Sequence, residues 1–478
     1  MYLTVDNQFY RILGLSNAVT ETTSTFYTNH SVIVLSSYLL EELKMATKVI
    51  QGLLVDCRQD WSLRAEEGVL VIENDKIIQR TSKENLDEVL KKFNISTNEV
   101  IHLSKSEFVM PGLIDTHTHA SQFPNIGIGM ELTLLDWLKT YTFPTEAGLA
   151  KNERAAEVYS RCVRSTLDAG TTTAVYFATI HKDTSVLLAD ICSKMGQRAF
   201  VGKVNMDRNS PENYCEDTED SLADTVAFVD SVSRLGSELV TPMITPRFVP
   251  SCSRQLMTDL GRLASERGLG VQTHLSENRP ECEWVKELEP DCDNYTQVYL
   301  RCGLLGPRTI LAHCVHLGEE EVTSLREAGA GVAHCPNSNF SLKSGVCDVR
   351  RLQKAGVKVG LGTDASGGFS PTILNAMRTA VTASNSLTFN RPNYSPLGFS
   401  DVIYLATRGG ASLLDMTDSL GALEPGMMAD ILRVDMDAHS NTKLFGTESF
   451  KDIVSKFVFL ADDRNIRNVW VAGKLVKQ

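Results

Sequence analysis

Residues 110–122 read MPGLIDTHTHASQ. An apolar run with the pattern of a buried strand ends in two histidines, His117 and His119. Side chains two apart on a strand share a face, so the run aims both imidazoles at one point in space. Imidazole is the commonest protein ligand for zinc. Alone, an HxH pair is weak, because a strand histidine is more often a core residue with its hydrogen bonds satisfied. The rest of the chain decides between the two.

From residue 108 onward, short apolar runs alternate with helical patterns. The run at 108–119 is followed by others at 171–178, 199–207, 239–248, 269–277, 309–315, 330–336 and 357–367. Near-continuous hydrophobicity marks strands covered on both faces, as in a parallel sheet. Between them, amphipathic stretches such as AAEVYSRCVRSTLDAG and SRQLMTDLGRLASERG close on glycine in the manner of a helix C-cap. Eight strand–helix units predict an α/β fold, a (β/α)8 barrel, which typically takes ~250 residues. A doubly wound sheet is the competing architecture, but no GxGxxG follows an early strand.

In such a barrel every C-terminal strand end opens onto one face, and that face carries the active site. The ligand-type residues fall at those ends: His117 and His119 on the first run, Arg247 on the fourth, and His274 and Glu277 on the fifth. His313 and His316 end the sixth, His334 the seventh and Asp364 the eighth. His117, His119, His274 and Asp364 make up the set a catalytic zinc needs, with His313 a fifth candidate. Zinc brings the pKa of its water to ~7. Asp364 is the carboxylate placed to take that water's proton, and Glu277, three residues after His274, stands close to the same pocket as a second acid–base group. The HxE…PCxxC zinc deaminase signature is absent.

The bulk properties narrow the setting. The net charge is −12 over 478 residues, with no Lys/Arg block, which argues against nucleic acid or an anionic membrane as partner. Of 11 cysteines no two stand three apart, and nothing resembles a secretory signal. The longest N-terminal apolar piece, 32–40, is too short to span a bilayer. A cytoplasmic protein with reduced thiols is expected. Residues 1–44 are polar and aperiodic and read as a poorly ordered extension. Strand-like flanks at 45–107 and 421–478 are each too small to bury a core and are expected to join as a small composite β-sandwich domain beside a barrel at 108–420.

PGLIDTHTH, HLSEN, LAHC and GLGTDASGG resemble the amidohydrolase superfamily of metal-dependent barrel hydrolases, and LGALEPGMMADILRVD is similar to the segment re-entering the small domain in its deaminase branch. HASQFPN, LLDWLKTYTFP, TPRF, HLSENR, AHCPNSN and FLADDRNI are similar to the members of that branch that act on guanine. The resemblance runs from about Met45 to the C-terminus. It implies hydrolysis of the C2 amine of guanine to give xanthine and ammonia, and a homodimer. It implies that His117, His119, His274 and Asp364 ligate one Zn2+ per chain, and that His313 ligates it or holds its water. Glu277 would shuttle protons; Gln122, Arg247 and Phe248 would recognise the purine. Binuclear members use a carbamylated lysine at a middle strand end. Here that end is Arg247-Phe248, and Lys203 in the third run reads as structural.

Other readings stay open at this point. An aminohydrolase of cytosine, adenosine or a triazine would show the same metal set, and a scaffold relative without activity is the alternative from another class. In HCPNSN (334–339) a turn built on Pro336 and Asn337 competes with ligand roles for His334 and Cys335. The glycines of TDASGG (363–368) either let backbone approach the substrate or form a plain loop. For His181 a solvated residue at a helix entry competes with a place at the pocket's border, and for Arg247 a pairing with a carboxylate near the barrel mouth competes with base recognition.

Overall fold

The computed structural model describes residues 47–478; the extension expected at 1–44 lies outside the described residues. The barrel is built from Leu113–His119, Thr171–Phe177, Arg198–Gly202, Val240–Pro246, Gly270–Leu275, Thr309–His313, Gly331–His334 and Lys358–Leu361, neighbours in chain order and all parallel. These strands are buried almost throughout, which is why each reads as an unbroken apolar run. The third run is interrupted at Lys203, and its second piece, Val204–Asn205, continues the pairing with the fourth strand. The eighth and first strands close the ring through Asp364 N–H to His117 O (2.9 Å), His119 N–H to Ala365 O (3.0 Å) and the Thr116 hydroxyl to Leu361 O (2.8 Å). Closure therefore falls on the segments that carry His117, His119 and Asp364. The helices lie where the periodicity put them. Arg254–Arg267, for example, starts at Ser253, whose Oγ accepts Leu256 N–H at 3.1 Å, and stops at Gly268 with φ 64°.

The run at 108–119 is not one strand. Glu107–Pro111 belongs to a second sheet, parallel to Thr47–Cys57 and antiparallel to Ile431–Asp435, and only Leu113–His119 enters the barrel. Gly112 makes the crossing: a Cβ there would stand 2.0 Å from Thr172 Oγ1, and its N–H donates to Asp430 O at 2.8 Å. Both pieces are buried, so hydropathy gives no sign of the break.

The two flanks join as expected, in one mixed sheet built from N- and C-terminal strands. Its order is Lys474–Lys477, Ile466–Val471, Ile431–Asp435, Glu107–Pro111, Thr47–Cys57, Leu63–Glu73, Lys76–Ser82, and the short Ile101–His102 also pairs with Thr47–Cys57. Glu107–Pro111 bridges N- and C-terminal strands, so the hydrogen bonding runs unbroken from one flank to the other. Buried Arg198 on the third barrel strand ties the units by two 3.1 Å hydrogen bonds to the Asp430 carboxylate. Among the described residues no helix is long and apolar enough to cross a membrane.

Candidate active site

At the C-terminal strand ends His117, His274, His313 and Asp364, all buried, offer one ligand atom each within 4.8 Å of one another. His119 stands at the edge of this set, its Nε2 3.3 Å from both His274 Nε2 and Asp364 Oδ1. His117 Nε2 is 3.1 Å from the same Asp364 oxygen. The backbone is bent to make this gathering. Ser276 (φ 50°), His313 (72°), Cys314 (51°) and Asp364 (45°) all occupy the left-handed region at the ends of the fifth, sixth and eighth strands, where non-glycine residues are uncommon.

The hydrogen bonds around the set fix which ring nitrogens are bare. His274 Nδ1 lies 2.7 Å from the Arg247 carbonyl, an acceptor only, so Nδ1 holds the proton and Nε2 is free. His313 Nδ1 lies 2.9 Å from Asn339 Oδ1, and His313 Nε2 is buried with no hydrogen-bond partner. Burial, reinforced by the neighbouring imidazoles, holds His274 well below the usual histidine range. Burial likewise brings His117 down to about 4 against the opposing hydrogen bond to Asp364. Neutral rings with bare nitrogens are what a metal requires. Burial alone would push Asp364 up, but the hydrogen bonds from His117 and His119 outweigh it and hold the carboxylate well below its usual range. Neutral imidazoles, one carboxylate and an orphaned buried nitrogen fit a divalent cation of the zinc type.

Glu277 lies beside this set, with Oε2 3.6 Å from His313 Nε2 and Oε1 accepting the Ser344 hydroxyl at 3.3 Å. Burial, then the negative charges of Asp364 and Glu281, push its carboxyl well above the usual range. A pocket is lined by His119, Gln122, Arg247, His274, Glu277 and Asp364 on its polar side. Leu134, Trp137, Leu138, Phe248 and Leu342 complete it. Every residue expected to recognise the base thus lines one pocket with part of the donor set.

The lesser candidates take other places. His316 lies past the strand end and turns away, its Nε2 2.8 Å from Ser344 O. His334 is buried outside the donor set. Within HCPNSN, His334 ends the seventh strand and Pro336 opens a helix, Pro336–Ser341, which presents Asn339 to His313, a role the turn reading missed. Gly367 and Gly368 stand where a Cβ would collide with its surroundings. A Cβ on Gly367 would lie 2.7 Å from Asp364 Oδ2, and one on Gly368 2.1 Å from Thr363 O. His181 is half-buried, its ring centroid 5.7 Å from that of Tyr214. Lys203 is fully buried, and its Nζ donates to Glu216 Oε1 at 2.6 Å. Sequence reading also missed Glu146. This buried carboxylate takes Arg247 Nη1 (2.6 Å) and Nη2 (3.3 Å), Gln122 Nε2 (2.8 Å) and the Tyr214 hydroxyl (2.8 Å).

Comparison with known proteins agrees with this geometry. Residues 108–476 match the model of the amidohydrolase family. The chain belongs to that family. It is 46% identical over 413 residues to guanine deaminase of Homo sapiens, covering 85% of this chain and 91% of that protein. It is 44% identical over 416 residues to guanine deaminase of Dictyostelium discoideum, covering 85% and 92%. The crystal structure of guanine deaminase from C. acetobutylicum with bound guanine in the active site superposes with a TM-score of 0.84 at 34% identity, over 90% of this chain and all of that one. Within the amidohydrolases, the chain falls in the guanine deaminase branch.

Proposed function

We propose that this protein hydrolyses guanine to xanthine and ammonia with one zinc ion per chain. The observation supporting this most is a single pocket lined by metal donors, a buried carboxyl (Glu277) and two base-reading groups, Arg247 and Gln122. His117, His119, His274 and Asp364 would hold the ion, with His313 a further ligand through its bare Nε2. When bound, the ion makes a water nucleophilic near neutral pH. Asp364, kept ionised beside the histidines, receives a proton from the attacking water. Glu277 protonates a ring nitrogen next to C2, which makes the carbon electrophilic; it then takes up the second hydrogen of the added water and delivers it to the departing amine, and the proton held by Asp364 restores the Glu277 carboxyl. In net balance water supplies one hydrogen to the ring and one to ammonia, and its oxygen becomes the new carbonyl.

Arg247 sets the choice of base. A guanidinium only donates, so it suits the O6 acceptor of guanine and opposes the amine adenine carries there. Gln122 meets another edge of the ring, and Phe248 offers a stacking face. The test is ammonia release from guanine, adenine, adenosine, cytosine and a triazine, with zinc content and sedimentation measured on the same sample. Guanine is expected to lead adenine by ~10⁴-fold or more, because adenine carries no amine at C2 to release and turns its C6 amine toward the Arg247 donors. Zinc should be near one per chain and the protein a homodimer. Preference for another base would leave only a metal-dependent aminohydrolase; no ammonia from any of them would overturn the activity.

A further inference from the structure

Glu146 does not line the pocket, yet it holds two residues that do. It sits on the short helix Phe143–Ala147, in the insertion between the first barrel strand and the helix Asn152–Asp168. Three remote segments reach it: Arg247 from the end of the fourth strand, Gln122 from the turn after the first, and Tyr214 from the loop after the third. The same helix supplies the Phe143 ring, 5.2 Å from the Arg247 guanidinium carbon. The fork is therefore held along one edge by a carboxylate and across one face by an aromatic ring.

A carboxylate has about four acceptor sites. Glu146 receives four donors: two from Arg247, one from Gln122 and one from Tyr214. It is left with no capacity to bind substrate itself. Being an acceptor only, it also orients the Gln122 amide: the NH2 turns toward Glu146, and the carbonyl is left to face Ser366 N–H, a long 3.5 Å contact. Neutralising a buried arginine would not by itself require the second pocket group to be fixed by the same atoms.

We infer that Glu146 is a positioning residue for base selection: it aims the Arg247 donors at the 6-oxo group and fixes the polarity of Gln122. This rests on the reading of Arg247 as the group that meets O6, and the test separates the two. The readout is the ratio of kcat/KM for guanine to that for 2-aminopurine, which keeps the C2 amine but lacks the 6-oxo group. The ratio does not depend on how much of a sample is folded, so a merely structural loss leaves it unchanged.

In the wild type guanine should be strongly favoured. Arg247→Lys keeps a charge opposite Glu146 but loses the fork, and the ratio should fall. Glu146→Gln should lower it by ~10²-fold, the size expected when a binding group is misplaced by about 1 Å. Glu146→Asp, which retains the charge, should lie between Glu146→Gln and the wild type, and it carries the test if Glu146→Gln does not fold. The double variant Glu146→Gln/Arg247→Lys should be no less selective than the more affected single variant. If Arg247→Lys lowers the ratio while Glu146→Gln and Glu146→Asp leave it at the wild-type value, the role of Glu146 is refuted and the reading of Arg247 stands. If Arg247→Lys also leaves the ratio unchanged, or the wild type does not favour guanine, both fall together.

Discussion

Asn339→Ala probes how His313 is used. His313 Nδ1 and Asn339 Oδ1 are 2.9 Å apart, and both residues are almost fully buried. In the metal-free protein the substitution costs little at the ring, because the imidazole can carry its proton on Nε2 instead, 3.6 Å from Glu277 Oε2 and 3.7 Å from Asp364 Oδ2. An ion on Nε2 removes that choice and forces the proton onto Nδ1, where it then meets no acceptor. The penalty belongs to the metal-bound state alone. An unsatisfied buried donor costs about 1–3 kcal/mol, and loss of a partner that orients a metal-bound histidine typically weakens binding by ~10–100-fold. Zinc affinity, measured by competition with a chromophoric chelator, should therefore drop by ~10–100-fold in Asn339→Ala. Asn339→Asp, which keeps an acceptor, should retain most of it. Unchanged affinity with reduced turnover would refute ligation and make His313 a group that holds the water. Unchanged affinity and turnover would mean that the contact does not matter to the site.

Three further substitutions test other parts of the site. Glu277→Gln should keep zinc and guanine affinity but lower kcat by ~10⁴-fold or more, because an amide cannot cycle a proton and the carboxyl is used twice; loss of zinc in this variant would make Glu277 a ligand instead. Gly367→Ala places a Cβ against Asp364 Oδ2 and Ser338 Oγ, at 2.7 and 2.8 Å. It should cost about 1–3 kcal/mol of stability and lower zinc content, and wild-type zinc and melting temperature would show that the loop yields freely. Lys203→Met leaves Glu216 without its cationic partner and should destabilise by about 3–5 kcal/mol while zinc per chain stays constant; a fall in zinc at constant melting temperature would place Lys203 in the metal site.

What could be seen in the sequence follows from how each feature is encoded. Barrel strands are covered on both faces, so burial leaves a mostly apolar mark, and a ligand-type residue near the end of such a run stands out against it. His117, His274, His313 and Asp364 were legible for that reason, although up to 247 positions separate them. The topology, more than any local motif, brings them together. The same logic hides Glu107–Pro111: two strands of different sheets, both buried, join through Gly112 without a polar break. Glu146 is hidden for the opposite reason. Glutamate in a short helix ordinarily faces water, and nothing in TFPTEAG marks this one as buried. Its charge is compensated by Arg247, 101 positions away, and its other lone pairs by Gln122 and Tyr214, so the sign of its burial is spread over three distant segments. Such a residue is found only by asking where a buried arginine finds its counter-charge. Here the answer leads back to the group that aims the arginine at the substrate.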